Sequence, residues 1–223
     1  MNRGTIREQV IQATGRSDKV DFINSSINIA LEEVSSRHLW SELLEEGSVP
    51  LVASQDGVDL GVASTRILDV RIDDGVRERP LSVRTLEWVH RRFPNRRYHS
   101  IGKPAWGYFR GKTLITTPIP DDAYTVRFSY FSVHPSLEDD SDEVLITYAS
   151  PAVIAYTTFW VFQAIEKNTE ATQWFNVFQT RLQSAKKLDM SNHAIQYVAD
   201  QRGDYLTPAA EYWLDPFVRA VPV

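Results

Sequence analysis

The side chains best suited to acid–base or metal chemistry near neutral pH are the five histidines, His38, His90, His99, His134 and His193. They are scattered, with no pair at helical ligand spacing, and the chain has no cysteine, so no Cys/His cluster for zinc can form. A Ser/His/Asp triad can be assembled on paper from any chain of 223 residues and carries no weight here. No G-x-S-x-G elbow, P-loop, H-E-x-x-H or G-x-G-x-x-G motif occurs. The expectation is a non-enzyme with no catalytic residue, no cofactor-binding residue and no metal ligand, His38 being a helix-face or packing residue.

Two charged stretches remain. His134 to Glu143 (HPSLEDDSDE) offers five carboxylates as oxygen donors, Glu138, Asp139, Asp140, Asp142 and Glu143. It lacks the glycine and spacing of an EF-hand loop, so a solvated acidic loop preceding a helix is the preferred reading over a metal site. The other stretch sets Arg91, Arg92, Arg96, Arg97 and Lys103 among Phe93, Tyr98 and Trp106. Cations can take phosphates and rings can stack on bases, which is the chemistry of a nucleic-acid surface. The plainer alternative, a subunit interface or solvated β-surface, is preferred because no nucleic-acid motif accompanies the patch and the whole chain carries a net charge of −5. Between Arg66 and Lys112 the local balance is +7, so the two ends together carry −12. Arg202-Gly203-Asp204 spells an adhesion tripeptide, but three-residue matches are common and a local turn explains it.

The element that must position all of this is Ser150 to Lys167, SPAVIAYTTFWVFQAIEK. Ser150 suits an N-cap and Pro151 the first helical turn. Apolar residues run nearly all round it, yet the run is shorter than the ~20 residues a bilayer needs. It reads as a buried helix that other elements wrap. Before it, Thr5 to Gly15 reads as a short amphipathic helix stopped by glycine. Ser17 or Asp18 can cap a second helix running to about Glu46, with Ile23, Ile27, Ala30, Leu31, Val34, Leu39 and Leu43 on one face, Trp40 near its end and Gly47 as terminator. Asn24 and Asn28 are weak helix formers, either solvated or bonded to a neighbouring subunit.

At Gly47 the period changes. SVPLVA, RILDVRI, ERPLSVR, AWGYFR, KTLITT and YTVRFSYF read as strands. Asp74-Gly75 and Arg110-Gly111 are hairpin signals, both positions of the first needing positive φ, and Thr85 to Phe93 reads as a short helix. After the central helix, Thr169 can cap a last helix from Glu170 to about Met190, with the stripe Trp174, Phe178, Leu182, Ala185 and Leu188. From Ser191 the period is lost and Pro208, Pro216 and Pro222 appear, with Tyr205, Tyr212, Trp213, Leu214 and Phe217 among them. Disordered tails are poor in aromatics, so this arm is expected to dock on its own fold or on a partner.

The predicted class is α+β. Residues 1–46 and 148–190 form an antiparallel helix bundle, residues 47–147 a β-subdomain inserted between the second and third helices, and residues 191–223 an extended C-terminal docking arm. The absence of cysteine and of a secretory leader fits an intracellular soluble protein.

In order, FINSSINIALEEV, HLWSELLEEGSVPLV, KPAWGYFRGKTLITTPIPDDAYTVRFSYF and YASPAVIAYTTFWVFQAIE, then a long helix and a trailing arm, resemble the head–tail adaptor proteins of tailed bacteriophages, also called connector or tail tubular proteins. The resemblance implies a virion structural protein at the head–tail junction, assembled in the host cytoplasm. It implies a ring of twelve copies bound below the portal, with the arm reaching onto the portal and the β-subdomain facing a downstream tail or nozzle protein. Packaged DNA would pass through the lumen without sequence-specific binding. On that reading the portal anchors are Tyr205, Tyr212, Trp213, Leu214 and Phe217, and Arg91, Arg92, Arg96, Arg97 and Lys103 serve a subunit or tail interface. No cofactor and no membrane partner are expected. The alternative is a nucleic-acid-binding regulatory protein using Arg91 to Lys103.

Overall fold

The computed structural model describes residues 1–92 and 101–204, with side chains through residue 191. Arg96, Arg97 and the five anchor candidates Tyr205, Tyr212, Trp213, Leu214 and Phe217 lie outside these described positions. The chain mixes helices and sheets and divides into two compact units. The first comprises Met1–Ser41 and Ser136–Val223, the second Glu42–Pro135.

In the first unit, α1 (Arg3–Thr14) is capped by Asn2, whose side chain accepts from the Thr5 amide, and stopped by Gly15 at φ 69°. There the Gly15 amide donates to Ile11 O at 2.7 Å. A 3₁₀ turn, Ser17–Lys19, leads into α2 (Val20–Ser36). α2 ends well before Glu46. Trp40 is not helical; its buried indole N–H donates to Val34 O at 2.9 Å, satisfying a carbonyl of the last turn. α4 (Ser150–Ala164) is entered through a 3₁₀ turn at Thr147–Ala149, so Ser150 is already helical and does not cap it. α4 packs on α1, α2 and α5 and buries residues on most of its faces. Its polar interruptions Thr157 and Thr158 each donate to a carbonyl four residues back, at 2.8 Å.

α5 spans Asn168–Asp204, continuing past the Met190 limit expected from the stripe. Phe178, Leu182 and Ala185 are buried as that stripe requires, but Leu188 is 52% exposed and Asp189 is buried in its place. Asn28 is neither solvated nor free for a neighbour. Its amide bonds both backbone groups of Leu137, donating at 3.2 Å and accepting at 2.9 Å.

In the second unit the strands are β1 (Leu44–Leu51), β2 (Gly57–Asp59), β3 (Ile67–Asp73), β4 (Glu78–Pro80), β5 (Ser82–Val83), β6 (Ile101–Gly102), β7 (Trp106–Arg110), β8 (Thr113–Thr117), β9 (Ile119–Pro120) and β10 (Tyr124–Phe131), with α3 (Leu86–Arg92) after β5. Among the described residues three sheets form, in the orders β1-β10-β3-β4, β2-β8-β7-β5 and β6-β9. The expected strand ERPLSVR is divided between the first two. Residues of both four-stranded sheets, including Val70, Ile72, Leu114, Val126 and Phe128, share one core.

Gly47 lies inside β1, not at a helix end, and pairs with Phe128 of β10. A Cβ there would come within 2.5 Å of the Phe128 ring, so the glycine exists to let that ring cross the strand. The Asp74-Gly75 turn also differs from expectation. Only Gly75 has positive φ, and the connection runs through Arg77 because Asp73 and Asp74 carboxylates accept the turn amides.

Candidate interaction site

The charged and aromatic stretch read from the sequence is built on α3 and β7. Thr85 Oγ1 accepts from the Trp88 amide and starts α3. Trp88 then stands 5.1 Å from Trp106 on β7, centroid to centroid, with the Arg84 guanidinium 5.6 and 5.8 Å from the two rings. This cation–aromatic cluster was half legible: Trp106 was singled out, but Trp88 and Arg84 come beside it only through the parallel pairing of β5 with β7.

Two of the described cations of the stretch are engaged. Arg91 bonds Glu87 one helical turn back at 2.5 Å. Lys103 bonds Asp74, 29 residues away, and stands 6.0 Å from the Tyr124 ring centroid. Lys103, together with the Arg77 and Val76 amides, holds the Asp74 carboxyl well below its usual range. Burial pushes the Tyr124 phenol up to about 12, and its hydroxyl donates to Asp121 at 2.6 Å. Arg92 ends α3. The structure thus spreads Arg91, Arg92 and Lys103 over a helix end and a loop, two of them beside carboxylates.

An open groove of about 610 Å³ lies elsewhere in this unit, between Leu68, Arg79, Val83 and Phe109. Arg71 on its wall bonds Glu46 and Asp69, at 3.2 and 2.9 Å, so its charge is spent along the sheet surface. The two carboxylates in its lining, Asp69 and Glu78, both pair with Arg71.

The acidic loop of the helical unit clasps the N-terminus. Arg7 grips both Asp140 oxygens at 2.5 Å and Arg3 donates to Glu138 O. The Glu138 and Asp139 amides donate to Asp142, and Val144 N donates to Met1 O at 2.9 Å. Arg7 holds the Asp140 carboxyl, and the two amides the Asp142 carboxyl, below the ordinary range. Among the described residues no group of three or more His, Cys, Asp or Glu is arranged to hold a metal.

His38 is a packing residue tied to a carboxylate. Its Nε2 is 2.7 Å from Asp189 Oδ2, and its ring meets Trp40 edge-on at 4.8 Å. The other Asp189 oxygen accepts from the Ser41 amide at 3.1 Å and the Ser41 hydroxyl at 2.5 Å. The carboxylate therefore stands between serine and imidazole, the wrong order for a proton relay. The cluster fastens the segment after α2 to α5. Nothing in the sequence pointed to Asp189, because a leucine beside it fitted the helical stripe better. His134 Nδ1 lies 2.6 Å from Pro135 O, with burial lowering the imidazole below its ordinary value. His90 is exposed on α3, while His99 and the His193 side chain fall outside the described residues.

Residues 1–212 of the 223-residue chain match the family model described as SU10 adaptor protein. The chain belongs to the SU10 adaptor family. This is a phage head–tail adaptor family, which agrees with the resemblance read from the sequence and makes the chain a bacteriophage virion structural adaptor. No curated protein matches it. As an SU10 adaptor the chain interacts with phage head and tail components. Among its described residues no helix is long and apolar enough to cross a membrane.

Proposed function

We infer that this chain joins the portal to the tail as one copy of a ring of twelve, its helices forming a bundle that carries the middle unit as an inserted β-subdomain. The observation that carries the reading is the family match across residues 1–212. Further support comes from α5, which leads out to Asp204 and into a stretch holding Tyr205, Tyr212, Trp213, Leu214 and Phe217. Large aromatics dominate interface energies, and these five are the portal anchors. The β-subdomain presents its surface, including Arg91, Arg92, Arg96, Arg97 and Lys103, to a neighbouring copy or to the downstream tail or nozzle protein. The ring forms part of the ejection channel. DNA slides through it without sequence-specific binding, a role for which cations engaged by Glu87 and Asp74 are better suited than free ones. Assembly takes place in the host cytoplasm, and no enzymatic step is involved.

The test is a portal pull-down with the full chain and with a chain ending before Tyr205. The full chain is expected to bind and, with portal present, to give a mass of twelve copies. The shortened chain is expected to stay folded and fail to bind. Full-strength binding by the shortened chain removes the anchor assignment. A salt-dependent DNA titration checks the alternative: tight duplex binding at physiological salt, lost on changing Arg91, Arg92, Arg96 and Arg97 to Gln while assembly persists, would favour a nucleic-acid-binding regulator.

A further inference from the structure

Two helix faces of the first unit carry apolar side chains that its described residues leave uncovered. On α2, Phe22 is 38% and Ile29 46% exposed; on α5, Val177 is 40% and Leu188 52% exposed. Each pair belongs to a row spaced by threes and fours: Phe22, Ser25, Ile29, Glu32, Ser36 on α2, and Val177, Arg181, Ser184, Leu188, Ser191 on α5. Every residue of both rows is exposed. That spacing marks a single side of a helix and is the spacing of a two-helix seam. α2 and α5 both pack on α4. On α2 the exposed row lies opposite the buried Ile23, Ile27, Ala30, Leu31 and Val34, and on α5 it lies one position to the side of the buried Phe178, Leu182, Ala185 and Asp189.

Laid antiparallel, the rows match at every layer. Phe22 falls against Ser191, Ser25 against Leu188, Ile29 against Ser184 and Ser36 against Val177, each a large side chain on a small one. The remaining layer sets Glu32 against Arg181, neither of which has an ion-pair partner among the described residues. A parallel alignment puts Glu32 on Leu188 and leaves Arg181 without a carboxylate. The small residues can be buried cheaply, because Ser25, Ser36 and Ser184 already turn their hydroxyls onto carbonyls of their own helices at 3.0, 2.8 and 3.0 Å.

We propose that α2 of one copy packs antiparallel on α5 of the next. The two faces differ, so the contact is heterologous: every copy presents one of each, and repetition gives a ring where the rotation between copies closes. The proposal deepens the assembly reading above and rests on it for the existence of a multi-copy particle.

The absence of native cysteine makes cross-linking clean. Ser25→Cys and Leu188→Cys proteins, mixed and treated with a short bis-maleimide, are expected to give one cross-linked dimer and nothing larger. A chain carrying both substitutions gives a ladder. Ser25→Cys mixed with Val177→Cys, off register, is expected to yield at most about a tenth as much. Glu32→Arg or Arg181→Glu alone lowers the yield several-fold, and the two together restore it. Equal yield off register, no restoration by the double exchange, or Leu188→Cys linking only to a different virion protein overturns the pairing. Native mass spectrometry of the wild-type chain with its portal separates the two failures. A multi-copy particle without the Ser25–Leu188 link sinks this pairing alone, and no multi-copy particle at all sinks the ring reading with it.

Discussion

Asp189 and Ser41 are joined twice through one oxygen: Asp189 Oδ1 accepts from the Ser41 amide at 3.1 Å and from its hydroxyl at 2.5 Å, while Oδ2 faces His38. The carboxylate is 2% exposed. A buried acceptor with three donors is costly to delete, because the donors remain in place without it. Asp189→Ala is expected to lose about 3–5 kcal/mol in urea unfolding, the range for removing one partner of a buried pair. Leu188→Ala, one residue away, should lose far less. Equal losses would mean that Asp189 is not the fastening point.

Gly47 and Phe128 provide a second test. Gly47→Ala drives a methyl into the ring and is expected to cost about 1–3 kcal/mol, as overpacking does. In a Phe128→Ala background the same change should be nearly silent. Additive losses in the double variant would show that the glycine is needed for its backbone and not for the ring.

The Asn28 side chain holds Leu137 by both backbone groups. Asn28→Ala should cost about 1–3 kcal/mol, the cost of orphaned backbone partners. It should also raise hydrogen exchange at the Leu137 amide before any other effect appears. Unchanged exchange at that amide would rule the tie out.

Two pH windows follow from the shifted groups. Burial lowers the His134 imidazole, so the native state binds its proton less readily than the unfolded chain. Stability from this group is complete above the unfolded value of about 6.5 and declines as pH falls below it. His134→Gln should flatten that slope in thermal unfolding between pH 7 and pH 5, values of roughly the range in which histidine titrates. Asp140 and Asp142 are lowered carboxyls: their contribution is present above the unfolded value of about 3.9 and is lost as pH falls through their lower native values. Loosening of the N-terminal clasp, followed by NMR at the Arg3 and Gly4 amides, is expected only in that acid range. A transition at neutral pH would contradict the assignment.

The helical period showed α1, the core side of α2 and α4, because burial on one face or on all faces writes itself into residue type every three or four positions. The end of α2 was not legible. A carbonyl of its last turn is satisfied by an indole six residues on, and the glycine that looked like a stop answers to a ring on a distant strand. The division of ERPLSVR between two sheets was hidden for the same reason: the partners of a strand are not in its own sequence. At the candidate site the cations were legible by composition, whereas the pairing of Arg91 with Glu87 and of Lys103 with Asp74, and the seating of Arg84 against Trp88 and Trp106, required the fold.

β1 and β10 pair along their whole length, with Leu44 opposite Phe131, and Ser132 N donates to Leu43 O at 2.8 Å just beyond. The chain therefore enters and leaves the middle unit through neighbouring strands, about 5 Å apart. The first and last strands of the middle unit are each other's neighbours, so its two chain ends lie side by side. Adjacent ends let a short turn stand in for the whole β-unit, or another β-structure with adjacent ends take its place, because neither exchange changes the gap the chain has to close.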